Sequence, residues 1–146
     1  SLVYGELSGR ENLEFFAAMY GLPQPARLAE QWLERVDLMA AADRRVDAYS
    51  RGMKQRLTLA RALLHKPSIL LLDEPMTGLD QAGRTQMIEL FRELCAEGRL
   101  LVLVTHNLEM LGRLADHLAV LRRGKLTHFA PLSADDNIFE LYRRHA

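Results

Sequence analysis

Two short, unbroken apolar runs constrain the fold of this chain more than any other feature. They are "SILLLD" at 68–73 and "LLVLVTH" at 100–106. Both are too short for a buried helix and lack the alternation of a one-sided strand. They read as strands buried on both faces. Between them Met87, Leu90, Phe91 and Leu94 recur at helical spacing over 81–97, and Gly98 follows as a helix stop. A short helix is expected at 107–115. Strands then flank a hairpin turn at Arg123-Gly124 in "HLAVLRRGKLTHFA". Strand, helix, strand, helix, strand is a parallel α/β arrangement.

The first half reads as helical. Leu13, Phe16, Ala17 and Tyr20 fall on one face of a helix at 10–20, which Gly21 and Pro23 end. Leu28, Trp32, Leu33 and Val36 repeat the pattern over 25–38. After the polar stretch "AADRRVDAYSRG", a third helix carries Met53, Leu57, Ala60 and Leu64. The last helix is expected to start at Ser133 with Asp136 completing a capping box, and to turn Ile138, Leu141 and Tyr142 inward.

Parallel sheets bind ligands outside the carboxyl ends of their strands. Asp73-Glu74 and Thr105-His106 stand at two such ends. A strand-end carboxylate needs a cation or hydrogen-bond donors to meet it. Magnesium beside a nucleotide meets that need through one or two carboxylates and several waters. Glu74 is then placed to orient or deprotonate an attacking water. The competing reading is a pair of strand-end carboxylates that caps the next turn. His106 is either a hydrogen-bonded structural residue or a donor to a phosphate. Ser50 is a candidate N-cap for the third helix, Gly52 permits close backbone approach, and a helix N-terminus attracts anions. An ordinary capped helix accounts for the same residues.

The bulk numbers narrow the classes. Nineteen basic residues balance nineteen acidic ones, so no net field favours nucleic acid or an anionic membrane. Cys95 is the single cysteine, which excludes an intrachain disulfide and fits a reducing compartment. No apolar run approaches the length of a membrane span.

Taken together, "YSRGMKQRLTLARALLHKPSILLLDEPMTGLD" at 49–80 resembles the ATP-binding-cassette (ABC) ATPases. It matches the family stretch that runs from the signature motif into the Walker B strand. Ser50, Gly52, Gln55, Arg56, Ala60, Arg61, Ala62 and Leu63 match, then Asp73, Glu74, Pro75, Leu79 and Asp80. "THNLEMLGRLADHLAVLRRGKL" resembles the switch-histidine segment, and "LSGRENLEFFAAMYGL" the start of the helical subdomain. The resemblance implies an α/β fold, a partial P-loop NTPase (RecA-like) parallel sheet with an ABC helical subdomain. It implies a helical subdomain at 1–65 and a C-terminal part of the ATPase core at 66–146.

It also implies roles. Asp73 would act on magnesium through water, and Glu74 would be the general base. His106 would contact the γ-phosphate of ATP, and Asp80 would lie at a dimer seam. Ser50, Arg51, Gly52 and Met53 would close over ATP held by a second, head-to-tail ATP-binding subunit. Transmembrane permease subunits would be the other partners, with no nucleic acid, and the place would be the inner face of the cell membrane. The signature departs from Leu-Ser-Gly-Gly-Gln at Tyr49, Arg51 and Met53. Arg51 either assists at the phosphate or points to solvent.

A phosphate cradle, GxxxxGK followed by Ser or Thr, does not occur. The single Gly-Lys, Gly124-Lys125, has Ala119 in the first glycine position and Leu126 after the lysine. The expectation is therefore a C-terminal portion of an ABC ATPase, cut near the entry to the helical subdomain. As a fragment it should be inactive and self-associating. "ENLEFFAAMYGL", "YSRGMKQRL" and "DEPMTGLD" look most like the haem exporter subunit of cytochrome c maturation. Drug, sodium and lipid exporter subunits are the alternatives. Two other classes are a soluble ABC ATPase of translation or DNA repair and a non-catalytic interaction module. The retained Asp73, Glu74 and His106 argue against the latter.

Overall fold

A computed structural model describes residues 3–133 and 135–145. The chain forms two compact units, one running to Val104 and the other starting at Thr105.

The first unit opens with helices α1 (Gly9–Met19), α2 (Pro25–Arg35) and α3 (Arg51–Leu63). Ser8 and Glu11 start α1 reciprocally. The Ser8 Oγ accepts from the Glu11 N–H at 3.2 Å, and the Glu11 carboxylate accepts from the Ser8 N–H at 2.7 Å. That second bond holds the Glu11 carboxyl below its ordinary range. Gly21, at φ 67, closes the other end, with its N–H on Ala18 and that of Leu22 on Ala17. The helix α2 stops at Arg35 rather than 38. Asp37 takes a left-handed conformation, and the amides of Asp37 and Leu38 turn back onto Glu34 and Leu33. Arg56, from α3, donates to the carbonyls of Val36 and Asp37 at 3.0 Å each and so satisfies the end of α2.

The three helices pack Leu13, Ala17, Leu33, Leu57, Ala60 and Leu63 out of solvent. Tyr20 and Leu28, expected inside, are partly exposed. Tyr20 is the C-cap of α1, where the helical face ends, and its ring meets Phe16 and His65 at the rim.

Asn12 is fully buried among these apolar groups. Its amide accepts from the Tyr4 N–H at 2.8 Å and donates to the carbonyls of Tyr4 and Ser8 at 2.9 Å each. It thereby ties the segment before α1 to the helix. Asn12→Ala removes all three bonds and leaves the partly buried N–H and carbonyl of Tyr4 without these partners. The expected loss is about 1–3 kcal/mol of stability. Urea unfolding checks it, and an unchanged midpoint would contradict this role.

The strands β1 (Ile69–Asp73) and β2 (Leu100–Val104) pair in parallel, Ile69 beside Leu100 through Asp73 beside Val104. The crossover helix α4 (Gln81–Ala96) packs on β2 and buries Met87, Ile88, Leu90, Phe91 and Leu94. Burial of both strand faces, expected from the continuous apolar runs, does not hold. Leu70 is buried, but Ile69, Leu71, Leu100, Val102 and Val104 share the opposite face and are exposed, Leu71 by 79%. Among the described residues the sheet is two strands wide and only one of its faces is packed.

The second unit comprises α5 (Leu108–Leu114), β3 (His117–Arg122), β4 (Lys125–Pro131) and α6 (Ile138–His145). Arg123 and Gly124 both have positive φ, 48° and 75°, the two-residue turn that matches strand twist. The third strand does not extend the parallel pair; β3 bonds to β4, antiparallel. The helix α6 begins at Ile138 rather than Ser133. Asn137 captures the amides of Phe139 and Glu140, while Ser133 and Asp136 close a separate turn upstream. Ile138 packs with Leu118 and Val120, Leu141 lies against them, and Tyr142 is exposed rather than inward. Among the described residues no helix is long and apolar enough to cross a membrane.

Candidate functional site

The carboxylates come first. Asp73 is the last residue of β1, exposed, and in register with Val104. Glu74 follows in a left-handed conformation, φ 45, which a side chain of this length rarely adopts. Two backbone bonds hold it there. Its N–H donates to the Val104 carbonyl at 2.8 Å, continuing the parallel ladder by one rung. Its carbonyl accepts from the Thr77 N–H at 3.1 Å, which opens the turn that follows. The chain therefore reverses at Glu74 instead of extending the strand. Pro75, Met76 and Leu79 are buried behind it and anchor the turn. Backbone strain of this kind concentrates at functional positions.

The turn leads to Asp80, the N-cap of α4. Its Oδ1 accepts from the Gly83 N–H at 2.8 Å. Asp80 thus has a local capping task whatever else it does.

Ser50 caps α3, its Oγ accepting from the Met53 N–H at 3.2 Å. The approach to Ser50 is fixed by Tyr49, which is buried. Its hydroxyl donates to the Ala41 carbonyl at 2.6 Å, and burial pushes the phenol pKa up. A Cβ at Gly9 would collide with that hydroxyl. Tyrosine at 49 is therefore an anchor for the segment that delivers Ser50.

Gly52 is buried, and the close approach it allows is to this chain's own turn. A Cβ there would lie 2.9 Å from the Gly78 carbonyl oxygen. Ser50–Met53 and Gly78–Asp80 are thus brought together. Arg51 is exposed and Met53 half-buried.

His106 belongs to the second unit and is exposed, one residue before the Asn107 cap of α5. The Thr105 Oγ1 accepts from the Asn107 N–H at 3.1 Å, and the Asn107 Oδ1 accepts from the Met110 N–H at 3.0 Å. His106 is bracketed by this pair of turns. Among the described residues no three His, Cys, Asp or Glu are grouped to hold a metal ion. Asp73 on its own suits a cation that keeps most of its water.

Comparison with known proteins decides the family. The family model described as "ABC transporter" matches residues 3–77, half of the chain. This chain belongs to the ABC transporter family. Among ABC relatives, the Nod factor export ATP-binding protein I of Neorhizobium galegae is 42% identical over 136 residues, 91% of this chain and 39% of that protein. Its counterpart from Burkholderia pseudomallei is 46% identical over 125 residues, 84% of this chain and 41% of its own length. A daunorubicin resistance ATP-binding protein of Streptomyces coeruleorubidus is 40% identical over 123 residues, 83% of this chain and 39% of its length. The chain thus spans about two fifths of these ABC relatives. A solved structure described as the ATP binding subunit of an ABC transporter superposes with a TM-score of 0.85 at 28% identity. It covers 97% of this chain and 63% of the other. The α/β architecture with its parallel pair is consistent with a partial P-loop NTPase fold.

Sequence reasoning missed three parts of the site. Nothing in "DEPMTGLD" signals the left-handed Glu74, because glutamate carries no turn preference. Gly78 reads as an ordinary loop glycine until its neighbour is known. Arg56 was matched to a family motif, and only the structure supplies its task at the end of α2.

Proposed function

We propose that this chain is part of the ATP-binding and ATP-hydrolysing subunit of an ABC export transporter. The observation that carries the reading is Glu74, held at φ 45 by the Val104 and Thr77 bonds at the mouth of the parallel strands. In this reading Glu74 receives the proton of the attacking water. Asp73 would hold a magnesium ion, whose charge would offset that on the phosphate oxygens. His106 donates to the γ-phosphate. Ser50, Arg51, Gly52 and Met53 present the start of α3 to ATP on a second, head-to-tail subunit, where free amides favour an anion. Asp80 lies at the seam between the two.

Residues 1–65 serve as the helical subdomain that meets transmembrane permease subunits, and 66–146 as part of the ATPase core. The place of action is the cytoplasmic face of the cell membrane. Nucleic acid is not a partner in this reading, in keeping with the balanced charge. For cargo, the Nod factor export and daunorubicin resistance relatives support export in general and the drug alternative in particular. Haem export rests on the sequence resemblance alone.

The 146-residue chain carries no GxxxxGK[ST] and supplies only the carboxylate side of the chemistry. Purified free of contaminating ATPases, it should bind Mg-ATP poorly and release no phosphate above background. Turnover that disappears in Glu74→Gln would show that this chain needs no further cradle.

A further inference from the structure

Arg51 departs from the signature glycine, and the proposed chemistry gives its guanidinium no task of its own. Its guanidinium makes no hydrogen bond or ion pair with any described residue, and the residue is exposed. Its charge therefore does not explain its placement, whereas its stem has a definite neighbour. Gly78 stands at φ 84 with no side chain of its own. A Cβ built there would lie 2.9 Å from Arg51 Cγ, 3.0 Å from Cδ and 3.4 Å from Cβ. The three methylenes lie directly over the bare glycine. On the neighbouring residue, a Cβ at Gly52 would lie 2.9 Å from the Gly78 carbonyl oxygen and 3.2 Å from Leu79 Cδ2. Two consecutive residues of α3 thus grip two consecutive residues of the turn. Leu79, buried, and Asp80, capping α4, follow at once.

We propose that Arg51 is a positioning residue whose apolar stem, laid over Gly78, locks the 76–80 turn to the start of α3, so that Ser50 and Asp80 move as one piece. A glycine at 51, as in the family signature, leaves that cover off and the turn held by the Gly52 approach alone. Long side chains commonly cover apolar or backbone surface with their stems while the head stays in water. The functional meaning rests on the proposed roles of Ser50 and Asp80. The lock itself is a property of the chain without nucleotide.

The test is amide hydrogen exchange on the 146-residue chain, with no ATP present, read at Thr77–Leu79 against the buried amides of α1. Arg51→Gly should speed exchange in the turn by about tenfold, since local opening follows the cover that is lost. Arg51→Met, which keeps the stem and removes the charge, should restore protection to within about twofold. Unchanged exchange in Arg51→Gly, or an Arg51→Met turn as open as that of Arg51→Gly, would overturn the lock. Because no nucleotide is involved, either result leaves the ATPase reading to be judged by its own experiment.

Discussion

Replacing Glu74 by glutamine should lower ATP turnover by about 10²–10⁴-fold in a fusion that joins residues 1–146 to the N-terminal segment of the Burkholderia pseudomallei relative. Glutamine keeps the size of the side chain and cannot take the proton of the attacking water. The N–H of residue 74 still reaches the Val104 carbonyl, so the turn should keep its place. Nucleotide affinity should therefore stay within a few-fold, about 1 kcal/mol or less. Glu74→Gly separates strain from chemistry. Glycine accepts φ 45 at no steric cost, so the turn should keep its path while turnover is lost. A variant that is folded and inactive marks residue 74 as kept for function. Loss of stability in Glu74→Gly would mean that the side chain itself builds the turn.

A second large effect concerns the open face of the parallel pair. Ile69, Leu71, Leu100, Val102 and Val104 form a contiguous apolar patch, and among the described residues no strand pairs with either edge of the two-stranded sheet. The chain by itself should cover this face with a second copy and sediment as dimers or larger species at micromolar concentration. Leu71→Lys with Val102→Lys places two like charges on adjacent strands of that face, since Leu71 and Val102 are register partners. Association would then bury unpaired cations, which is strongly unfavourable. The double variant should sediment as a monomer with its helical signal retained. A wild-type chain that is monomeric at high concentration would contradict the expectation. So would a double variant that associates as before.

The fold was legible where local physics acts alone. The helical spacing of Leu13, Phe16 and Ala17, the Ser50 cap, the Gly98 stop and the Arg123-Gly124 hairpin all needed only near neighbours. What was not legible depends on which chains or layers are present. "SILLLD" and "LLVLV" are apolar enough for two covered faces, yet nothing in them says how many layers surround them, and one face is open. Ser133 and Asp136 satisfy the capping grammar, but Asn137 offers the same oxygen closer to the apolar residues that anchor α6. Tyr20 and Tyr142 keep the helical period yet sit in terminal turns, where the covering surface has ended. Within the site, the residue types at strand and helix ends could be read. The left-handed Glu74 and the Arg51–Gly78 contact could not, because both depend on a turn whose path is set by Met76 and Leu79 packing behind it.

We propose that Asp73 and Glu74 are the carboxylate side of a nucleotide site whose phosphate cradle is not among these 146 residues. Steady-state phosphate release by the fusion, measured beside the 146-residue chain alone, tests it most directly. Mg-dependent turnover is expected in the fusion, with its loss in Glu74→Gln and background release from the chain alone. A folded fusion that binds ATP but turns it over equally well with Glu74→Gln would contradict it.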